Sequence, residues 1–359
     1  MSGATVEESL QRLAERQVSR GRIVNTVMAI QSGDQRVDAV AAAGYSDANR
    51  TTAMTSDTVY LLASIAKLYT VTVVAQLVES KDLDLATPVA DYLGPEMVAG
   101  IHVYEATDRS NQITVGQLAS QTSGLADYFD GKPQGGVSLL DDLAAGNDRS
   151  LSLADKLDIV RSLQPGFVPG ASGKAQYSDT NYALLGATIE AVTDSSVSRG
   201  FDRRIFGPLG LTATYTLDQI EGRSIPATVF LKEKPVELPL FLSSHIPEGG
   251  LAATVADSLR FLRAFLGGEL FPPTRLAEMT AHFNRIFFPL RYGHGVMLYQ
   301  VPRWMAPFGS PRLIGHSGST GSFAFYEEGR DLFVAGTVNQ MDNPARPYRL
   351  MSSMVRMTR

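Results

Sequence analysis

The chain has 359 residues, 44% hydrophobic and 19% charged, with no cysteine. That is globular composition with ample material for a core, and since single cores stop growing near ~250–300 residues, two lobes are expected. The net charge of −5, without any basic block, argues against nucleic acid or an anionic membrane as partner, and the lack of cysteine excludes disulfides, thiol nucleophiles and thiolate metal sites.

The opening residues lack the basic start and apolar stretch of a signal peptide. A cytoplasmic enzyme is therefore expected. An amphipathic helix follows, with Leu10 and Leu13 on one face. Residues 24–30 and 37–43 read as two strands, and Ser32-Gly33-Asp34 between them is a turn signal, which predicts a hairpin. Ser64-Ile65-Ala66-Lys67 then opens a run that is apolar on every side as far as Val78, the pattern of a buried helix. Ser64 and Lys67 lie one turn apart and share a face. A lysine stripped of hydration favours its neutral form. It can then accept a proton from a serine, which is a poor nucleophile without such help. The same spacing arises by chance, and serine is an ordinary N-cap, so the remaining sequence has to decide.

Residues 80–220 read as mostly helical, broken by loops at 130–136 and 165–173. From about 225, short apolar runs alternate with turns. Residues 255–266 read as an amphipathic helix, and 313–317, 322–327 and 332–338 as three consecutive strands. Residues 344–354 read as a closing helix, with Asn343 as its N-cap and Pro344 at the first helical position. The expected class is α+β. A five-stranded antiparallel sheet built from both termini is flanked by helices (about 1–65 and 225–359), and a mostly helical part (about 66–224) is inserted. No apolar run reaches the ~18 residues of a membrane span.

Several motifs fail. Residues 166–174 have the wrong spacing for a phosphate loop, and Ala175 follows the lysine. No G-x-S-x-G elbow occurs. His102, His245, His282, His294 and His316 are scattered, so neither a zinc site nor any other metal or cofactor is expected. Gly315, Gly318 and Gly321 do not match a dinucleotide fingerprint.

A serine attacking a carbonyl also needs a proton relay to the leaving group and donors for the oxyanion. Tyrosine can serve if nearby cations lower its pKa. Of three Tyr-x-Asp triplets, at Tyr45, Tyr128 and Tyr177, the third follows a glycine-rich loop and starts a helix. Ser64-x-x-Lys67, Tyr177-Ser178-Asp179-x-Asn181-Tyr182 and His316-Ser317-Gly318 occur in the order found in the penicillin-recognising serine hydrolases. The chain resembles the branch of class C β-lactamases, D-Ala-D-Ala carboxypeptidases, D-aminopeptidases and β-lactamase-like (family VIII) esterases. Gln121-Thr122-Ser123-Gly124-Leu125, Pro165-Gly166, Ala183-Leu184-Leu185-Gly186, Gly249-Gly250-Leu251 before Ala256-Asp257, and Asn343-Pro344-Ala345-Arg346 support it. The likeness spans roughly residues 20 to 350.

The resemblance implies a β-lactamase-like fold and a set of roles. Ser64 would be acylated, Lys67 would share in its deprotonation, and Tyr177 would act as base and then as acid. His316 would stand on the strand beside the cleft. The N–H groups of Ser64 and Ser319 would form the oxyanion hole. Gln121, Asp179, Ser317 and Gly318 would meet substrate, as would Asn343 and Arg346 unless they only cap and solvate the helix. Asp127 and Tyr128 would line the acyl pocket or simply make local turn bonds. Trp304 reads as core or cleft wall.

Two positions depart from the β-lactamase pattern. His316 replaces the lysine of Lys-Thr-Gly and is a weaker cation near neutral pH. Asp179 replaces an asparagine, and an ionised aspartate cannot donate to a substrate amide carbonyl. Beside Lys67 it would hold the lysine charged and leave Tyr177, as a tyrosinate, the better base. Its orientation is left open. The expected function is an acyl-enzyme serine hydrolase acting on small-molecule esters or related amides. The alternatives are a β-lactamase, a D-Ala-D-Ala carboxypeptidase, a D-aminopeptidase, an acyltransferase, or a catalytically silent binding protein on the same fold. The oligomeric state is left open.

Overall fold

The N-terminal helix forms as α1 (Val6–Ser19), and the hairpin after it as β1 (Asn25–Ser32) and β2 (Asp38–Gly44). The structure, a computed structural model, describes residues 5–19, 23–302, 304–305 and 310–358. Four helices follow that matter for the site: α2 (Ala66–Glu79), α3 (Leu153–Arg161), α4 (Asp179–Thr193) and α5 (Val255–Gly267). Six strands come next, β3 (Asn284–Phe287), β4 (Leu290–Tyr292), β5 (Met297–Tyr299), β6 (Leu313–Ser317), β7 (Phe323–Glu327) and β8 (Leu332–Thr337). Helix α6 (Arg346–Met357) ends the described chain.

The main sheet is antiparallel, in the order β3-β4-β5-β6-β7-β8-β1-β2. All five predicted strands are present and contiguous, with Val27 opposite Thr337 and Ala29 opposite Ala335 where the two ends of the chain meet. The expectation of five strands is corrected to eight. The three missed strands form one edge, run only three or four residues, and expose Arg285, Phe287 and Arg291. Strands this short are set by pairing with a neighbour, which a propensity reading cannot see. Every residue of β8 is buried, so the sheet is covered on both faces. Helices α1 and α6 pack on each other and on the sheet, and α5 packs on β8, β1 and β7.

The closing helix starts later than expected. Asn343 does not cap it: the Asn343 carbonyl accepts from the Arg346 amide at 3.0 Å, which closes a turn ahead of the helix. Ala345 is the capping position, and Pro347 rather than Pro344 sits in the first turn. Trp304 is 80% exposed and belongs to neither core nor cleft wall.

Helix α2 is buried at eleven of its fourteen residues, Lys67 among them. Tyr69 stacks on Phe261 of α5, with ring centroids 3.7 Å apart. The missed sheet edge presses on the same helix. At Gly295, in the turn between β4 and β5, φ is +77° and a Cβ would lie 2.2 Å from a Val71 methyl. Gly295→Ala therefore combines left-handed strain with overpacking. It should lower the unfolding free energy by about 2–4 kcal/mol in urea denaturation.

Candidate active site

A short three-stranded sheet places Ser64. Tyr60–Leu61 pairs with Leu251–Ala253, and the Leu62 amide donates to the Leu251 carbonyl at 2.9 Å. This brings the Glu248-Gly249-Gly250 turn against the chain just before α2. Ala63 then adopts φ +47°, a left-handed conformation that costs free energy for any residue but glycine, and Ala63–Ile65 form a 3-10 turn leading into the helix. Ser64 is not an N-cap. The capping position is Ile65, and no side chain caps it. The Ser64 hydroxyl instead accepts from Lys67 Nζ at 3.1 Å.

Lys67 is fully buried. Its Nζ faces three acceptors: Asp179 Oδ1 at 2.7 Å, the Glu248 carbonyl at 2.8 Å and Ser64 Oγ at 3.1 Å. An ammonium has three N–H donors and no acceptor, so this cage fits a protonated lysine. The open question over Asp179 is answered: it points at Lys67. Its backbone is held by Asp127, whose Oδ1 accepts the Asp179 amide at 3.2 Å and the Phe129 amide at 3.0 Å. Burial, followed by the charges of Asp179 and Asp130, pushes the Asp127 carboxyl well above the ordinary range. Gln121 lies behind this segment. Its Oε1 accepts from the Ser178 amide at 2.9 Å and from the Asn181 side chain, so it braces the residues after Tyr177.

The Tyr177 ring packs beside Lys67, with Nζ 5.2 Å from its centroid, and its hydroxyl is shielded from solvent. Burial and then the negative charge of Asp179 push its pKa well above 10, while the neighbouring Ser64 hydroxyl acts the other way. The expected tyrosinate is therefore corrected: at rest Tyr177 is a neutral phenol. The Lys67 charge that would have stabilised the anion is already compensated by Asp179.

His316 is wholly buried behind Tyr177, the ring centroids 6.3 Å apart. Its Nδ1 faces the Ser317 carbonyl at 2.8 Å and its Nε2 the Tyr292 hydroxyl at 3.1 Å. Burial, then the Lys67 charge, pulls its pKa down to about 3. The expected weak cation is thus a neutral imidazole that donates from Nδ1 to the Ser317 carbonyl, while the Tyr292 hydroxyl beside Nε2 donates its proton to the Tyr182 hydroxyl at 3.0 Å. Beyond it the strand approaches the serine closely. A Cβ on Gly318 would lie 2.6 Å from the Leu62 carbonyl and 2.8 Å from the Ala63 methyl, so only glycine lets Ser319 come this near.

Ser64 and Ser319 together line two cavities. One, of about 70 Å³, passes Asp179, Phe129, Phe241 and His245. The other, of about 360 Å³, holds Tyr177, Ser317, Gly318 and Tyr348. Asn343 and Arg346 line neither. They face a separate cavity with Arg16 and Arg349, while Pro344 and Ala345 between them, and Pro347 just after, line the larger of the two cavities at Ser64.

Sequence reading missed a second buried ion pair, Lys156 Nζ to Glu248 Oε1 at 2.9 Å. It also missed the tie from Tyr128 to His245 Nδ1 (2.7 Å) and Glu248 Oε1 (3.1 Å). The one available signal was Lys156 itself, a lysine on the apolar side of α3 beside Leu157 and Val160. Among the described residues no cluster of three or more His, Asp or Glu could hold a metal ion, and no helix is long and apolar enough to cross a membrane.

A serine hydroxyl against a caged lysine, a tyrosine phenol beside both and a glycine-lined strand edge define a serine hydrolase. The family model for beta-lactamase matches residues 10–352. Penicillin-binding protein 4 of Amycolatopsis lactamdurans is 32% identical over 291 residues, 75% of this chain and 68% of that protein. Two solved structures share the fold. D-amino acid amidase from Ochrobactrum anthropi SV3 has TM-score 0.79 at 22% identity, covering 99% of this chain and 98% of that one. EstCE1, a hydrolase with promiscuous acyltransferase activity, has TM-score 0.78 at 20% identity, covering 98% of each chain. The chain belongs to the beta-lactamase family and is a serine hydrolase of its fold.

Two outcomes test this electrostatic arrangement. Lys67→Met strands a buried carboxylate and should cost about 3–5 kcal/mol, most of it recovered by adding Asp179→Leu, as read in a denaturant double-mutant cycle. His316 has a depressed folded pKa, so its contribution to stability is complete above pH 6.5 and is lost as pH falls toward 3. Between pH 6.5 and 5 the wild type should lose about 2 kcal/mol through this group. His316→Gln should flatten that slope in unfolding curves measured at each pH.

Proposed function

We propose that the protein cleaves carboxylic esters, and related amides, by acylation and deacylation of Ser64. The carrying observation is the Ser64 hydroxyl 3.1 Å from a lysine that is itself 2.7 Å from a carboxylate. As Ser64 Oγ bonds to the substrate carbonyl, its proton passes to Lys67, and Lys67 gives one of its own to Asp179 Oδ1. The lysine remains an ammonium and the carboxylate becomes an acid. Tyr177, already a phenol, donates its proton to the departing alkoxide and is recharged from Lys67, which takes back the proton on Asp179. The oxyanion lies between the backbone N–H groups of Ser64 and Ser319, where each donor is worth about 3–4 kcal/mol of transition-state stabilisation. Water then attacks the acyl-enzyme, and an alcohol entering instead completes acyl transfer.

Three features support esters over β-lactams and D-alanyl peptides. Asp179 only accepts hydrogen bonds and is engaged by Lys67. His316 is neutral and buried, so it offers no cation to a substrate carboxylate. Asn343 and Arg346 line a different cavity.

A fluorophosphonate should add one adduct mass to the intact protein, and Ser64→Ala should abolish both adduct and turnover of p-nitrophenyl butanoate. Tyr177→Phe should still be labelled while kcat falls by about 10²–10⁴. Unlabelled wild type without ester turnover would refute the reading.

A further inference from the structure

The two cavities at Ser64 differ in size, in polarity and in which proton donor they contain. A tetrahedral carbon on Ser64 with its oxygen against Ser319 must send its two remaining substituents to opposite sides, one into each cavity. Tyr177 lines only the larger one. The proton for the departing alkoxide comes from that side, which assigns the larger cavity to the leaving group and the smaller to the acyl chain.

The smaller cavity, about 70 Å³, is roughly half the ~150 Å³ that admits benzene. It has room for only a short chain of methyl-sized groups. Its end wall is a stack of three rings. Phe129 lies on Phe241 at 5.4 Å and 15°, and Phe241 on His245 at 4.7 Å and 28°. Phe241 is 2% exposed, and His245 is tied to Tyr128 at 2.7 Å, so the wall has little freedom to retreat. Among the described residues lining this cavity Asp179 alone carries charge, and Lys67 neutralises it at 2.7 Å. An α-ammonium on the acyl group would bring a second cation to a balanced pair. The larger cavity is lined chiefly by Phe287, Phe288, Met297, Tyr348 and prolines, which suits a bulky apolar alcohol.

We propose that the substrate is an ester of a short, neutral acyl group with a bulky apolar alcohol, and that the Phe129–Phe241–His245 stack sets the acyl length. This rests on the acyl-enzyme reading above. Its test is a comparison of kcat/KM across p-nitrophenyl acetate, butanoate and octanoate, then ethyl against benzyl butanoate, and benzyl propanoate against D-alanine benzyl ester.

Octanoate should fall about 10-fold or more below butanoate, benzyl should exceed ethyl, and propanoate should exceed the D-alanine ester. Phe241→Ala should raise octanoate relative to butanoate. Should that buried change prevent folding, Phe129→Leu carries the same expectation. Phe288→Ala, at a position 57% exposed, should shrink the benzyl preference without altering the acyl-length profile. Wild-type octanoate equal to butanoate, an unmoved profile in a folded ring variant, or a faster D-alanine ester would overturn the assignment, with Ser64 labelling intact. Loss of labelling would instead overturn the acyl-enzyme reading beneath it.

Discussion

The site depends on keeping one ammonium in a place water does not reach. Burying a charge is costly unless its partners are close and its hydrogen bonds complete. Lys67 is held by an ion pair to one carboxylate and by hydrogen bonds to one carbonyl and one hydroxyl. Each acceptor comes from a different stretch of chain: α4, the turn before the short central strand, and the entry to α2 itself. To satisfy the lysine is therefore to assemble the site.

The turn that supplies the Glu248 carbonyl is gripped by two lysines. Lys67 holds its backbone, while Lys156 binds the Glu248 carboxylate and the Ser244 carbonyl, the latter at 2.8 Å. Tyr128 and His245 connect this second pair to the neighbourhood of Asp179, His245 Nε2 lying 3.7 Å from Asp179 Oδ2. Burial, opposed by Asp179 and reinforced by the two lysine charges, holds His245 neutral. The wall of the small cavity is in this way part of the scaffold of the charged pair.

Much of this was legible in sequence because it is written in local pattern. The all-round apolar run marked α2 as buried, short apolar runs set off by turn signals gave the hairpin and the last three strands, and the Ser64, Lys67 and Tyr177 motifs fall together in space. What escaped depends on distant partners. Strands β3, β4 and β5 are too short to signal themselves. Tyr177 is neutral because Asp179 answers the lysine's charge, and His316 because the fold buries it. The Lys156–Glu248 pair joins positions 92 apart, and Asn343 looked like a cap when its carbonyl, not its side chain, closes the turn.

The adjacency of β1 and β8 bears on when the molecule can work. Thr26 Oγ1 donates to the Thr337 carbonyl across 311 positions of sequence. Contacts this distant form slowly, because a long loop must close before they repay its entropy. Ser319 arrives on the turn between β6 and β7, inside that same late sheet. On the ribosome, Ser64 and Lys67 emerge hundreds of residues before the strand edge that must face them. The reactive serine is thus made well before the strand edge it faces, and the site is assembled only when β6 and β7 have folded into the sheet.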